Sequence, residues 1–250
     1  MSDTLRPTDP QSPQPGQPLL ARIKRRSFFM YAGATAGATA LVLAGCSKDN
    51  TTPTSTTTGN VSFGTGDASV LNYAYALEQL EAAFYAKVAA LTASPLLAAE
   101  VPYFAKLATH EAIHRDFLRT AINRDFNGTI IPDLTPKFDS IDFTKRVKAA
   151  ADTKLGILDA AKAFEDLGVA AYNGAAKLFK SAVYLGIAGQ IVSVEARHAA
   201  YVRDLILPGS FATNEAGDTL GFDRQMTPTA VLAVAQTYVE QTLNGSTIGQ

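Results

Sequence analysis

The stretch Val194-Glu-Ala-Arg-His198 decides the fold, because it places a carboxylate and an imidazole inside a helical apolar stripe. Glu195 and His198 are three residues apart, so their side chains lie on the same face of a helix. The stripe continues in both directions through Ala188, Ile191, Val202 and Leu205. Apolar residues at this spacing face the core of a helix bundle. The stretch therefore predicts a bundle with polar, ligand-type side chains in its core.

Three other helical stretches have the same character. Each has a Glu within its apolar stripe, and one of them adds a second Glu-x-x-His pair. Across the four stripes these residues are Glu78, Glu111, His114, Glu165, Glu195 and His198. No Lys or Arg lies on the stripe positions, so burying the carboxylates costs on the order of several kcal/mol each unless cations neutralise them. Two divalent metal ions would do this, and the set matches the ligands of di-iron and di-manganese carboxylate bundles.

The helical period and the positions of Pro and Gly predict an all-α fold. The expected helices span about 68–92, 99–124, 153–179, 181–206 and 227–243, with residues 125–141 as a long connection. A short helix at 143–151 is left open. Thr227-Pro228 is typical of an N-cap followed by the first helical residue. The expected architecture is a ferritin-like four-helix bundle, with a long crossover between helices 2 and 3 and a short C-terminal fifth helix.

Composition excludes several classes of protein. The chain has 250 residues, of which 47% are hydrophobic, which is too apolar for a disordered protein. Its net charge of −1 shows no excess of positive charge, so nucleic acid is not an expected partner. The single Cys excludes an internal disulfide, a zinc finger and an iron–sulfur cluster.

The N-terminal region has the layout of an export signal. Arg25-Arg26 is followed by Ser-Phe-Phe and an uncharged stretch, which resembles a twin-arginine signal. The stretch ends at Leu43-Ala-Gly-Cys46, which resembles a bacterial lipobox and implies cleavage and lipidation at Cys46. The alternative is an uncleaved transmembrane helix, since roughly 20 apolar residues span a bilayer. We expect a signal peptide at 1–45, a disordered Thr/Ser-rich tether at 46–66 and the bundle at 67–250.

An internal repeat relates the two halves of the bundle. Leu77-Glu-Gln-Leu80 followed by Tyr85 parallels Phe164-Glu-Asp-Leu167 followed by Tyr172. These segments, together with His110-Glu-Ala-Ile-His114 and Val194-Glu-Ala-Arg-His198, resemble the bacterial ferritin-like domain family, which includes desiccation-related proteins.

The resemblance implies a metal role for the six stripe residues, with Glu111 and Glu195 as bridges. It places Tyr85 and Tyr172 beside the metals, where they would hydrogen-bond a ligand or supply an electron; core packing with a satisfied hydroxyl is the other interpretation.

Further expectations concern three residues around the site and the site as a whole. Glu81 also points inwards and competes with Glu78 as the ligand from helix 1. His110, next to Glu111, is expected in an outer or surface position rather than as a ligand. Gly168 is expected to allow a helix or a ligand to approach closely. The site as a whole is also open to being a metal-free relic.

The function expected from these features is that of an exported, membrane-tethered protein with two iron ions, or two manganese ions, in its core. It would oxidise Fe(II) or reduce O2 or peroxide in stress protection or iron handling. Its other partners would be the twin-arginine translocase and the membrane that holds the lipid on Cys46, and a homo-oligomer stays open. The alternative is a non-enzymatic envelope bundle that sequesters metal or has a structural role.

Overall fold

The structure is a computed structural model, and it describes residues 59–213 and 221–250. Four long helices form the core: α1 (Gly66–Ala89), α2 (Val101–Asp125), α3 (Ile157–Ala175) and α4 (Ala182–Ile206). A short helix, α5 (Pro228–Ala235), follows near the C-terminus. The predicted all-α bundle with a long crossover between the second and third helices and a short fifth helix is confirmed.

Helix α1 lies at the centre of the domain, and 18 of its residues are buried. It packs against α2 and α3, and the crossover at 126–156 covers its remaining side. Polar side chains of α1 anchor the crossover backbone. Asn72 accepts a hydrogen bond from the Ile131 N–H at 3.0 Å, and Gln79 accepts one from the Leu134 N–H at 2.7 Å. Because these bonds satisfy buried backbone groups, a long loop can lie against the core.

The optional short helix at 143–151 is absent, and turns occupy this segment. Carboxylates take up its backbone N–H groups in place of helical carbonyls. Asp142 accepts from Thr144 N–H at 3.0 Å, and Asp152 accepts from Ala149 N–H at 2.9 Å. Such local side-chain bonds compete with a helix. Helix α3 therefore begins at Ile157 rather than near 153, after Gly156, whose N–H donates to Asp159.

The two ends of the domain meet in a small parallel sheet, in which β1 (Asn60–Ser62) pairs with β2 (Thr242–Asn244). Val61 and Phe63 are buried in the core. Residues 59–65 therefore belong to the folded domain, whereas the sequence predicts them within the tether. Helix α5 ends at Ala235, eight residues before its expected end, because the chain then turns to form β2.

The N-terminal predictions concern residues outside the described part of the chain. These are the twin-arginine signal, the lipobox with Cys46 and the tether up to residue 58. Among the helices in residues 59–213 and 221–250, none combines the length and the apolar content that a membrane crossing requires.

Candidate metal centre

The four long helices bring all six stripe residues into one buried cluster. Glu78 comes from α1, Glu165 from α3, and each of α2 and α4 contributes a Glu and a His. The Glu/His cluster consists of Glu78, Glu111, His114, Glu165, Glu195 and His198. All four Glu side chains are 0% exposed, and the most exposed member is His114, whose side chain is 12% exposed. The helical period thus predicts correctly which side chains meet in the core.

The cluster divides into two overlapping donor sets. Each set surrounds one candidate metal position. The first position has donor atoms from Glu78, Glu111, His114 and Glu195, and the second has donor atoms from Glu111, Glu165, Glu195 and His198. Within each set the donor atoms lie within 4.8 Å of one another. Three carboxylates and one imidazole surround each position. This set of donors suits iron or manganese.

Glu111 and Glu195 belong to both sets, and each directs one oxygen to each position. Glu195 Oε1 lies 2.8 Å from His114 Nδ1, and Glu195 Oε2 lies 3.3 Å from His198 Nδ1. Glu111 Oε2 lies 3.2 Å from His114 Nδ1, and Glu111 Oε1 lies 2.9 Å from His198 Nδ1. Each of these two carboxylates therefore faces both positions.

The other two carboxylates lie at the outer ends, and a tyrosine holds each of them. Tyr172 donates a hydrogen bond to Glu78 Oε1 at 2.5 Å, and Tyr85 donates one to Glu165 Oε1. The pairing is crossed between two helices, because Tyr172 of α3 bonds to Glu78 of α1 and Tyr85 of α1 bonds to Glu165 of α3. The second oxygen of each carboxylate, Oε2, faces the cluster at 3.6 Å from His114 or 3.5 Å from His198.

Most of the inward-facing atoms are buried without a well-aligned hydrogen-bond partner. They are Glu78 Oε2, Glu111 Oε1, Glu165 Oε2, both oxygens of Glu195 and His198 Nδ1. An unsatisfied buried polar group costs about 1–3 kcal/mol, and more when it is charged. Such atoms concentrated at one point fit metal ions, which would take their lone pairs and balance their charge.

The pKa values of the metal-free protein show how strongly this cluster requires positive charge. Burial raises the pKa of Glu78 to about 8, and the neighbouring Glu195 adds to the effect. Burial opposes the imidazolium form of His114, but its contacts with Glu111 and Glu195 outweigh this and raise its pKa to about 12. His198 reaches about 12 for the same reasons. Protons thus compensate the carboxylates where no metal does.

Glu81 is buried beside the cluster but belongs to neither donor set. Of the two inward-facing carboxylates of α1, Glu78 is the one in donor position. Glu81 lies against Gly168, where an added Cβ atom would be 3.0 Å from Glu81 Oε1. The expected close approach at Gly168 is therefore made by a carboxylate from α1. Burial raises the pKa of Glu81 well above its usual value, and the negative Glu195 adds to this effect.

His110 lies at the surface and contacts the cluster through His198. His110 Nδ1 is 2.9 Å from His198 Nε2, and the two rings stack at 5.1 Å with an angle of 22° between their planes. The sequence predicts an outer position for His110 and a hydrogen bond from each tyrosine to a ligand-type residue, but it does not predict that His110 contacts His198 or that the tyrosine pairs are crossed. Both sets of contacts depend on the distance between neighbouring helices, which the helical period of a single segment does not indicate.

Comparison with known proteins agrees with this fold. A search of curated proteins found no match to the chain. The model of a protein family described as "ferritin-like domain" matches residues 66–208, which include α1 to α4 and all six members of the Glu/His cluster. The match covers more than half of the chain. The protein belongs to the ferritin-like domain family.

Proposed function

We propose that the Glu/His cluster holds two iron ions, or two manganese ions, and that the protein is a di-metal oxidoreductase. The observation that carries this proposal is the double role of Glu111 and Glu195, each of which directs one oxygen to each of two positions. Glu78 and His114 complete the first position, and Glu165 and His198 complete the second. A structural cluster of buried carboxylates would satisfy its oxygens with hydrogen bonds, and these inward-facing oxygens lack them.

The bound ions would supply the redox chemistry, in which Fe(II) is oxidised and O2 or peroxide is reduced. The chain's own residues hold the site and exclude water. The four carboxylates are fully buried, and the ring of Tyr85, whose hydroxyl donates to Glu165, packs against Phe84 and Phe104. His114 is the member nearest to solvent, so a small oxidant would reach the cluster beside it.

The roles proposed for Tyr85 and Tyr172 follow from their hydrogen bonds. By donating to the outer oxygens of Glu165 and Glu78, they orient the inner oxygens towards the two positions. Burial raises the pKa of both phenols well above the usual value, which keeps each proton on its tyrosine. As groups in contact with ligands, they are also placed to supply an electron during turnover.

The proposed location is the cell envelope. Export through the twin-arginine translocase, cleavage before Cys46 and lipidation of Cys46 would leave the bundle tethered to a membrane. The support is the order of Arg25-Arg26, the uncharged stretch and Leu43-Ala-Gly-Cys46. Replacing Cys46 by Ser should release the protein from the membrane fraction, and replacing Arg25-Arg26 by two Lys should retain it in the cytoplasm. Fractionation that finds both variants in the wild-type compartment would contradict this location.

The function is tested on the full chain produced in a bacterial host with its N-terminal region intact. Elemental analysis of the purified protein should find two iron or manganese ions per chain. After the protein is loaded anaerobically with Fe(II), addition of O2 or hydrogen peroxide should form Fe(III) faster than in protein-free buffer. Absence of bound metal would overturn the metal centre. Stoichiometric binding without faster oxidation would overturn the enzymatic activity and identify the protein as a metal-sequestering bundle.

A further inference from the structure

Among the residues that the structure describes, His198 has a hydrogen-bond partner on its outer side, and His114 has none at the corresponding place. His198 directs Nδ1 into the Glu/His cluster and Nε2 towards His110 Nδ1, at 2.9 Å. His110 precedes Glu111 by one residue, and the residue that precedes Glu195 in the other half is Val194. The side chain of Val194 has no polar atom to offer. The two positions therefore have the same types of ligand, and they differ in the group on the outer side of the imidazole.

The direction of the hydrogen bond follows from the chemistry of imidazole. A neutral imidazole that offers Nδ1 to a metal carries its proton on Nε2. His198 Nε2–H is then the donor, and His110 Nδ1 is the acceptor. His110 keeps its own proton on Nε2, and its side chain is exposed to solvent. An acceptor behind a ligating imidazole fixes the tautomer and the ring orientation and increases the basicity of the ligand nitrogen.

We propose that His110 is a positioning residue for His198 and makes the two metal positions unequal, with the second position binding its ion more tightly. The proposal rests on the proposed di-metal function. The stacking of the two rings restricts rotation of His198, and the hydrogen bond favours the tautomer that the second position requires. Loss of an outer partner of this kind typically lowers metal affinity about 10- to 100-fold.

The test compares two substitutions that separate the contribution of the ring contact from that of the hydrogen bond. His110→Phe keeps a ring over His198 but has no acceptor, whereas His110→Asn offers an oxygen close to the place of Nδ1. Anaerobic calorimetric titration with Fe(II) should resolve two binding steps in the wild type. We expect His110→Phe to weaken one step about 10- to 100-fold and to leave the other unchanged, and His110→Asn to restore it.

A second measurement reports on the ion itself. Mössbauer spectra of the protein loaded with ⁵⁷Fe(II) should contain two components, of which His110→Phe shifts one and His110→Asn shifts neither. If wild-type protein binds two ions and His110→Phe gives the wild-type titration and spectrum, the role of His110 is overturned while the di-metal centre stands. If wild-type protein binds none, the proposed function itself fails. Equal weakening of both steps would also overturn the inequality.

Discussion

The helix pair α1–α2 and the helix pair α3–α4 contribute corresponding residues to one site. Each pair supplies an outer Glu, a Tyr seven residues after it, a Glu common to both donor sets and a His three residues further on. The corresponding residues are Glu78 and Glu165, Tyr85 and Tyr172, Glu111 and Glu195, and His114 and His198. The crossed tyrosine bonds join the pairs, because each pair holds the outer carboxylate of the other. Neither pair therefore forms a complete site alone.

Two of the differences between the pairs lie beside the Glu/His cluster and place an extra polar group on α1–α2. Glu81 corresponds to Gly168, and His110 corresponds to Val194. The first difference is sterically coupled, since Gly168 has no side chain at the place where Glu81 lies. The repeat thus keeps the donor atoms equal while the groups around them differ. Substitutions that act on both pairs, on one pair, or on the unequal residues should have effects of decreasing size.

The largest effect is expected for the bridges, because they serve both pairs at once. Glu195→Ala removes an oxygen from each position, and elemental analysis should show loss of both ions. Glu240→Ala, at an exposed site, is the control and should retain two ions. Two ions in the Glu195 variant would refute the bridging role.

Substitution of an outer carboxylate should affect one position. Glu78→Gln and Glu165→Gln each keep the side-chain volume and remove one charged donor, so each variant should retain about one of the two ions. The two variants should lose different ions, which Mössbauer components of ⁵⁷Fe-loaded protein would distinguish. Loss of both ions in either variant would mean that the positions fill only together.

The pH dependence of the metal-free protein tests the compensation by protons. The pKa of Glu78 rises on folding to about 8, so folding takes up a proton between the unfolded value and pH 8. His114 and His198, raised to about 12, act in the same direction above their unfolded pKa. Glu111, lowered to about 2 against the effect of burial by contact with His114, acts in the opposite direction at a pH below this range.

Stability of the metal-free protein should therefore fall as pH rises from 5.5 to 8. Each proton taken up costs about 1.4 kcal/mol per pH unit, which is equivalent to roughly 3–6 °C in Tm for a domain of this size. Thermal unfolding of chelator-treated protein measures this slope, and metal-loaded protein is the control, because bound ions replace the protons and the slope should decrease. A Tm that increases with pH in the metal-free protein would contradict the compensation.

The donor residues could be predicted from sequence because their signal is local. A Glu in an apolar stripe with a His three residues later depends on the helical period alone, and the stripe positions of Glu111 and Glu195 in the sequence match their positions in the core. The helix ends were predictable where Pro or a capping residue stands, as at Thr227, which accepts from Ala230 N–H. The order of helices and crossover then followed from their lengths.

What could not be predicted depends on contacts between distant segments. The strands β1 and β2 have three residues each, too few for an alternating pattern, and they exist because the two ends of the domain meet. The segment 143–151 has a helical composition, but carboxylates from Asp142 to Asp159 capture its N–H groups. The spacing to Tyr85 favours Glu78 over Glu81 as the donor, but the place of Glu81 against Gly168 depends on the position of α3.

A moderate effect is expected for the crossed tyrosines. Tyr85→Phe and Tyr172→Phe each leave an outer carboxylate oxygen without its donor and remove no metal ligand. Each should weaken one binding step by roughly 10-fold, as is usual for groups that orient a ligand. Fe(II) titration measures this effect. A rate of Fe(II) oxidation that falls by much more than the affinity would indicate that the tyrosine also supplies an electron.

Glu81 and Gly168 should show the smallest effect, and their contact makes it measurable. Glu81→Ala should retain two ions, since Glu81 lies outside both donor sets. Gly168→Ala adds a Cβ atom 3.0 Å from Glu81 Oε1, so the carboxylate must shift, while Ala in a helix is favoured over Gly by roughly 0.5–1 kcal/mol. Where Glu81 is present, the displacement of its carboxylate and the helical preference of Ala therefore oppose each other in Gly168→Ala.

In the Glu81→Ala background the close contact is gone, and Gly168→Ala should stabilise the metal-free protein by the full helical preference. A double-mutant cycle measured by urea unfolding should therefore give an interaction energy of about 0.5 kcal/mol or more between the two positions. The helix pairs would then be more alike in sequence and no less able to bind two ions. An additive cycle would show that Gly168 makes no room for Glu81, and that this difference between the pairs is neutral for packing.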